Sequence, residues 1–294
     1  MHQYMKAIGF TKFNSVKELQ KLITDVIVNG PKRSYTSIDD ETIIACFSRE
    51  VAPGVGITVV GRFNDEDQFT YDYYYPYIEG NNISSEENIS VERHAATESY
   101  AGVIDDIHMG VSIIFYVQNM IPYINAMRSN LLPIQGTTLS LAALSLSGNI
   151  IMPLKKTAND LILDRNFEKS RMQLISAARS GDEEAMESLT LNDMDTYTTI
   201  AQRIQTEDVF TLVDTYFMPY GVECDQYAIL GEIMEVNEVT NSISGEALYK
   251  LNLMCNDVEL DVCINKEDLY GVPAPGRRFK GTVWLQGKIN YPNT

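Results

Sequence analysis

The first hydrophobic pattern in the chain has helical spacing and lies between positions 15 and 30. Its apolar stripe comprises Leu19, Leu22, Ile23, Val26 and Ile27. Ser15 and Glu18 have the spacing of a capping box, and Gly30-Pro31 supplies a stop signal. The pattern therefore predicts an amphipathic helix whose apolar side packs against the rest of the protein.

Alternating apolar and polar residues, rich in β-branched and aromatic side chains, follow this helix. They predict strands at Ile43–Ser48, Gly56–Phe63, Phe69–Tyr77, Ile89–Arg93, Val103–Ile107 and Gly110–Gln118. No helical pattern separates the middle strands, which favours an antiparallel sheet over a doubly wound parallel one. A short helix around Ile121–Met127 and a hairpin over Thr138–Leu154, turning at Ser147-Gly148-Asn149, complete this part of the prediction.

The apolar spacing becomes helical again from Ala158 to Met218. Gly181 is predicted to end one helix, and Thr190 with Asp193 to open the next. Thr206 is predicted to open a third helix that continues through Phe217 and stops at Pro219.

The C-terminal part has the alternation of strands once more. The predicted strands are Tyr227–Val239, Leu248–Cys255, Val258–Asn265 and Phe279–Ile289, with a two-residue turn at Asn256-Asp257. Their number and length predict a small β-barrel or a rolled sheet.

Together these patterns predict an α+β protein in three segments. Residues 1–156 form an α+β domain with a mostly antiparallel sheet, residues 157–220 a helical middle segment, and residues 221–294 a β-barrel-like domain. A boundary near Gly221 separates the last two, although the three segments can still pack as one body.

Charge narrows the range of partners. The 23 basic and 40 acidic residues give a net charge of −17, which argues against general binding to nucleic acids or anionic membranes. The longest uncharged stretch, Ser129–Leu154, is interrupted by Pro and Gly, so we expect no membrane span. The first residues lack the pattern of a signal peptide, and the four cysteines lack metal or disulfide spacing. We therefore expect a cytoplasmic protein with buried free thiols.

Two segments at the ends of the chain resemble a known family. Met-His-x-Tyr-x-x-Ala-Ile-Gly-Phe at Met1–Phe10 and Gly-Arg-Arg-Phe-Lys-Gly-x-x-Trp-Leu-Gln-Gly at Gly276–Gly287 are similar to an uncharacterised clostridial family, catalogued only as a domain of unknown function. The resemblance extends over the whole chain. It implies an intracellular protein of Gram-positive anaerobes, and it implies no activity, cofactor or catalytic residue.

A candidate binding face surrounds the single tryptophan. Strand alternation places Phe279, Val283, Leu285 and Ile289 on one side of the last strand, and Arg278, Lys280, Thr282, Trp284, Gln286 and Lys288 on the other. A tryptophan among basic side chains is typical of a binding hot spot for a protein partner or a small anionic ligand. The alternative, favoured by the high average burial of tryptophan, is that the chain itself covers the ring.

A second candidate is the aromatic ladder of the fourth predicted strand. Phe69, Tyr71, Tyr73, Tyr75 and Tyr77 alternate, so a regular strand would place them on one face. Such a face could stack against a sugar or a peptide. The favoured alternative is a core between sheet and helix, because aromatic residues are enriched in strands for packing reasons.

Catalytic motifs are absent from the sequence. It has no nucleophile elbow and no glycine-rich phosphate loop, and no cofactor is predicted. His94 and His108, with Glu98, Asp105 and Asp106, could hold a divalent metal, but their spacing matches no metal motif and favours a solvated sheet face.

Three hypotheses follow, in order of preference. The first is a cytoplasmic, non-enzymatic binding or scaffold protein, and the second is a metal-assisted hydrolase using His94, His108 and the nearby carboxylates. The third is a structural subunit of a homo-oligomer. The sequence itself leaves the oligomeric state open.

Overall fold

A computed structural model gives the fold as mixed α+β, with more strand than helix. The residues it describes are 2–13, 15–39, 42–64, 66–94, 98–106, 112–154, 169–178, 180–203, 209–222 and 225–292.

The chain begins with a buried 3₁₀ helix, Gln3–Ile8, followed by helix α1 (Val16–Asn29). The predicted capping box is confirmed, because the Ser15 hydroxyl accepts from the Glu18 amide and the Glu18 carboxylate accepts from the Ser15 amide. Leu22, Ile23 and Val26 are buried, so the predicted stripe is the packed face of the helix.

Strands β1 (Lys32–Ser37), β2 (Ile43–Ala52), β3 (Val55–Phe63) and β4 (Phe69–Ile78) form an antiparallel sheet in that order. Helix α1 lies against one face of this sheet, where Asp25 forms an ion pair with Arg49 of β2. Sequence analysis missed β1, because Lys32, Arg33, Ser34 and Tyr35 are exposed and lack strand alternation.

The second sheet has ten strands. They are β5 (Ser90–Arg93), β6 (Tyr100–Ile104), β7 (Ile113–Val117), β8 (Thr138–Ile151), β9 (Tyr216–Pro219), β10 (Gln226–Thr240), β11 (Ala247–Cys255), β12 (Val258–Asn265), β13 (Leu269–Tyr270) and β14 (Arg278–Asn290). Five of them close a barrel in the order β8-β12-β11-β10-β14, in which β14 pairs back to β8. Only the β8–β12 pairing within this ring is parallel.

Shorter elements extend the barrel. Strands β7, β6 and β5 continue the sheet from β14, β9 pairs with β10, and β13 pairs with β8. Helix α2 (Met120–Arg128) follows β7 and lies against β1. The predicted turn at Asn256-Asp257 is confirmed, because both residues have positive φ and Cys255 pairs with Val258 across it.

The predicted hairpin over Thr138–Leu154 is wrong. Strand β8 continues through Gly148, which pairs with Gly281 of β14. A Cβ atom on Gly148 would lie 2.3 Å from the Phe279 ring. Glycine is therefore required here because an aromatic ring packs against the backbone, and the chain does not turn.

Two predictions for the middle segment are also wrong. Helix α3 (Glu183–Arg203) continues through Thr190 without the predicted break, and Tyr216 and Phe217 lie in a strand. The predicted break at Gly181 is confirmed, since its φ of +93° ends the helical stretch 169–178. A short helix, α4 (Val209–Leu212), precedes β9. Residues 155–168, 179 and 204–208 lie outside the described residues, so a continuous helical character of the segment before β9 stays a prediction.

The buried core is one cluster that includes α1, the four-stranded sheet and the barrel. Strand β8, from the first predicted segment, is part of the barrel formed with strands of the third. The division into independently folding units stays a prediction. Among the described residues, no helix is both long enough and apolar enough to cross a membrane.

Candidate functional site

Strand β14 carries most of the predicted binding residues, and both of its faces are covered near its centre. Its pairing with β10 runs without a register shift from Trp284 to Arg278. The predicted alternation of its side chains is therefore present. Residues 283–287 are nevertheless all buried, because the barrel core lies on one side and the rest of the protein on the other.

Trp284 lies inside an aromatic cluster. Its ring is 5.4 Å from the ring of Tyr4, 5.4 Å from that of Tyr116 and 4.9 Å from that of His2. Its Nε1 donates a 2.7 Å hydrogen bond to the Asp225 carboxylate, and only 6% of the residue is exposed. The favoured alternative, that the chain itself covers the ring, is confirmed, because the N-terminal 3₁₀ segment lies over it, and the exposed tryptophan face is not present.

Arg278 is also buried. Its guanidinium donates to four backbone carbonyl oxygens, those of Met152, Phe210, Val213 and Asp214, at 2.7 to 3.3 Å. The carbonyl oxygens come from the end of β8 and from the α4 region. Arg278 therefore holds together the two points where the middle segment leaves the barrel and returns to it.

The other β14 residues of the predicted face differ in exposure. Gln286 is fully buried, donates to the Pro76 carbonyl and accepts from the Gln118 side chain, each at 2.8 Å. It joins β14 to the four-stranded sheet and is not available to a partner. The Lys280 ammonium lies 4.5 Å from the centre of the Phe210 ring, and Lys288 is exposed. A binding role for these lysines stays a prediction.

The tyrosine ladder is divided between the two faces of its sheet. Strand β4 contains a bulge, because Gly61 pairs with Tyr71 while the next residue back, Val60, pairs with Tyr73. This irregularity turns Tyr71 to the opposite face from Tyr73, so the prediction of a one-sided ladder is wrong.

The faces differ in what covers them. Tyr71 is 46% exposed. The hydroxyls of Tyr73 and Tyr75 donate to the carbonyls of Glu98 and Gln118, so these rings belong to the contact between the two sheets. The favoured alternative, a packing role, is therefore confirmed for Tyr75, which is buried, and for Tyr73, which is half-buried.

His2 was not among the predicted site residues. Burial lowers the pKa of its imidazole from 6.5 to about 4, so the ring is neutral at pH 7. Its backbone amide donates to the Tyr74 hydroxyl, and its buried Nδ1 has no hydrogen-bond partner among the described residues.

The predicted metal site is described only in part. Glu98 is buried and paired with Arg93 at 2.6 Å, and Asp106 accepts from Ser85 at 2.7 Å. His94 is exposed, and His108 lies outside the described residues. Within the described ranges, no three His, Cys, Asp or Glu side chains are grouped to hold a metal ion. The metal-assisted hydrolase stays a prediction.

Three of the four cysteines are described, and all three are free and buried. Burial raises the pKa of Cys46, Cys255 and Cys263 to about 12. Such thiols remain protonated and do not act as nucleophiles. The expectation of buried free thiols is confirmed for these residues, and Cys224 lies outside the described part of the chain.

An open hollow of about 530 Å³ lies along the solvent side of α1. Its lining comes from this one helix and includes Lys17, Lys21 and Asp25. Small-molecule sites usually enclose most of their ligand between several elements. The hollow has no second wall, so it does not form a site of that kind.

The outer face of α3 has a different character. It consists of Glu183, Met186, Glu187, Thr190, Leu191 and Met194, and every one of these side chains is exposed. Met186 is 45%, Leu191 56% and Met194 62% exposed. None of the described α3 residues belongs to the buried core cluster. Large apolar side chains are thus displayed on an element that the core does not cover.

Comparison with known proteins gives a family and no activity. A family model described as a domain of unknown function, E. rectale gene description (DUF3881), matches residues 5–287. The chain belongs to this DUF3881 family. The clostridial resemblance of the two end segments is therefore confirmed. No curated protein matches the chain. No solved structure matches it either.

The two end segments, Met1–Phe10 and Gly276–Gly287, meet in the structure. His2 and Tyr4 come from the first segment, and Trp284 from the second. No local pattern in either segment indicates that they contact each other. Tyr116 and Asp225, which complete the cluster, have no distinguishing local pattern.

Proposed function

We propose that this chain is a non-enzymatic binding or scaffold protein. Its partner binds the segment between Met152 and Phe210, which is called the arm below. The observation that carries this proposal is the outer face of α3, where Met186, Leu191 and Met194 are exposed. Contiguous exposed apolar surface on a soluble protein commonly marks an interaction site.

The two ends of the arm are bonded to the same side chain, that of Arg278, which supports the proposal. Nη2 of Arg278 lies 3.0 Å from the Met152 oxygen and 2.7 Å from the Phe210 oxygen, so these oxygens are no more than about 6 Å apart. The arm therefore leaves the barrel and returns to it at nearly the same place.

Several buried polar groups of the body have structural partners. Gln286 connects the two sheets, Asp261 accepts from Asn81 and Asn252, and Glu98 is paired with Arg93. These contacts stabilise the body that presents the arm. A cytoplasmic location belongs to the same proposal, and the buried free thiols support it, since disulfides are rare in reducing compartments.

Deletion of the arm tests the proposal. A short Gly-Ser linker would replace residues 155–208, which the proximity of Met152 and Phe210 allows. We expect the body to keep its cooperative unfolding transition and to lose its partner. The partner would be detected in cells by a photo-crosslinking residue at position 194, with position 272 on the body as control.

A crosslinked adduct at position 194 that is absent at position 272 would support the proposal. Equal adducts at both positions, or an adduct of the same partner at position 272 in the arm-deletion variant, would contradict it. Loss of cooperative unfolding in the deletion variant would show that the arm is part of the core, and would also contradict it.

A further inference from the structure

We infer that the outer face of α3 binds a positively charged amphipathic segment of another protein. This inference rests on the proposed binding function, and it specifies the surface and the chemistry of the partner.

The spacing of the face suits a helical or extended apolar ligand. Its six residues follow the order i, i+3, i+4, i+7, i+8 and i+11, which places them along one side of the helix. Two methionines and one leucine form its apolar part. Methionine side chains are flexible and polarisable, so they adapt to partners of different shape.

Over the first two turns of α3, the opposite side is less accessible. Ala185 is buried, and Ser188 and Leu189 are half-buried. The outer face therefore presents its apolar groups away from the side that the protein covers. A partner can approach it without displacing described parts of the chain.

The charged side chains of this face, and the one beside it on α3, are all acidic. Glu183 and Glu187 lie within it, and Glu184 is exposed beside it. The sequence contains no Lys, Arg or His from Ser180 to Gln202, whereas six acidic residues lie between Asp182 and Asp195. A partner that buries the methionines must therefore lie among carboxylates.

This charge distribution selects among the occupants of an apolar face. A second copy of the chain would bring glutamates opposite glutamates, on a protein whose net charge is already −17. An anionic membrane would be repelled for the same reason. A segment with Leu or Met on one side and Lys or Arg at its borders satisfies both the apolar and the acidic groups.

The test uses the full chain and two synthetic helical peptides. One peptide has Leu and Lys in amphipathic order, and the other has Glu in place of Lys. Titration calorimetry at low and at raised salt would measure their binding. We expect the Lys peptide to bind, the Glu peptide not to bind, and the affinity to fall as salt screens the charges.

Variants of α3 make the test specific. We expect Met186→Ala with Met194→Ala to weaken binding of the Lys peptide by at least about tenfold, since hot-spot residues dominate such interfaces. Glu183→Lys with Glu187→Lys should weaken it similarly and allow the Glu peptide to bind. Tyr270→Ala with Val272→Ala, which removes exposed apolar groups from the body, should leave the affinity unchanged.

Circular dichroism would verify that α3 stays helical, which alanine substitution favours. Failure of the Lys peptide to bind, or equal binding to all variants, would overturn the inference. A dimer in native mass measurement that Met186→Ala with Met194→Ala dissociates would overturn it too, by identifying a second copy as the occupant. An α3-specific crosslink to a partner without a basic segment would leave the proposed function standing and remove only this inference.

Discussion

At the scale of single residues, burial decides what Trp284 does. Its indole ring is enclosed by His2, Tyr4 and Tyr116, and its N–H is bonded to Asp225. A ring in this environment contributes packing and one hydrogen bond to a carboxylate, and it has little surface left for a partner.

Substitution of Trp284 by Ala measures this contribution. We expect Trp284→Ala to lower the free energy of unfolding by about 3–5 kcal/mol, because it leaves a large cavity in the cluster. Urea unfolding would measure the loss. Lys288→Ala, on the exposed part of the same strand face, is the matched control and should change little. A decrease of less than about 1 kcal/mol in the free energy of unfolding of Trp284→Ala would contradict this packing role and would favour contact between the ring and a partner.

His2 predicts a pH dependence of stability. Its pKa is about 4 in the folded protein and 6.5 when exposed, so the unfolded chain binds the proton more readily between these values. Protonation of His2 therefore does not lower the free energy of unfolding above pH 6.5, and it lowers that free energy progressively as the pH falls from 6.5 toward 4.

Comparison with His2→Gln isolates this effect from other titrating groups. We expect the wild-type chain to lose about 2 kcal/mol of unfolding free energy more than His2→Gln between pH 7.5 and 4.5. Chemical denaturation at a series of pH values would measure the difference. Parallel curves for the two proteins would show that the imidazole is not desolvated.

At the scale of elements, the arm is held by contacts that come from a barrel strand. Arg278 and Lys280 of β14 contact the α4 region through its carbonyl groups and the Phe210 ring. The basic residues that suggested an anion site on β14 thus serve, in two cases of three, to fix the base of the arm.

Replacement of Arg278 tests this anchoring. Arg278→Met keeps an apolar stem but removes every donor, leaving the carbonyls of Met152, Phe210, Val213 and Asp214 without this partner. We expect faster hydrogen exchange in residues 209–214 and a decrease of about 3 kcal/mol in the free energy of unfolding. Arg277→Met, next to it and partly exposed, should leave exchange in 209–214 unchanged. Unchanged exchange in Arg278→Met itself would contradict the anchoring role.

At the scale of the whole molecule, two sheets share one core. Cys46 lies in the four-stranded sheet, and Cys255 and Cys263 lie in the barrel, yet all three belong to the same buried cluster. A shared core of this kind favours cooperative unfolding of the sheet and the barrel.

Thiol labelling tests that cooperativity. In a Cys224→Ser variant, we expect the remaining three thiols to resist an aromatic disulfide reagent in the native state and to react together as urea unfolds the protein. Mass analysis of labelled peptides would resolve the three sites. Labelling of Cys46 at lower urea than the barrel cysteines would instead favour the predicted division into separate folding units.

The sequence by itself determined those features whose cause is local. The capping box at Ser15 and Glu18, the turn at Asn256-Asp257 and the alternation along β14 each depend on neighbouring residues, and each is present. Predictions from local patterns are wrong where a distant group determines the structure. The residues around Gly148 have the pattern of a turn, but in the structure the Phe279 ring packs against Gly148 and the strand continues.

Only the tertiary structure decided which faces are covered. Alternation shows that Trp284 and Gln286 share a face, but that face is buried by His2 and Tyr4 from the start of the chain and by Pro76 of β4. Barrel closure through β8 likewise depends on pairing between segments far apart in sequence. Long-range contacts of this kind leave no signal in the spacing of neighbouring residues, because the groups that meet come from separate parts of the chain.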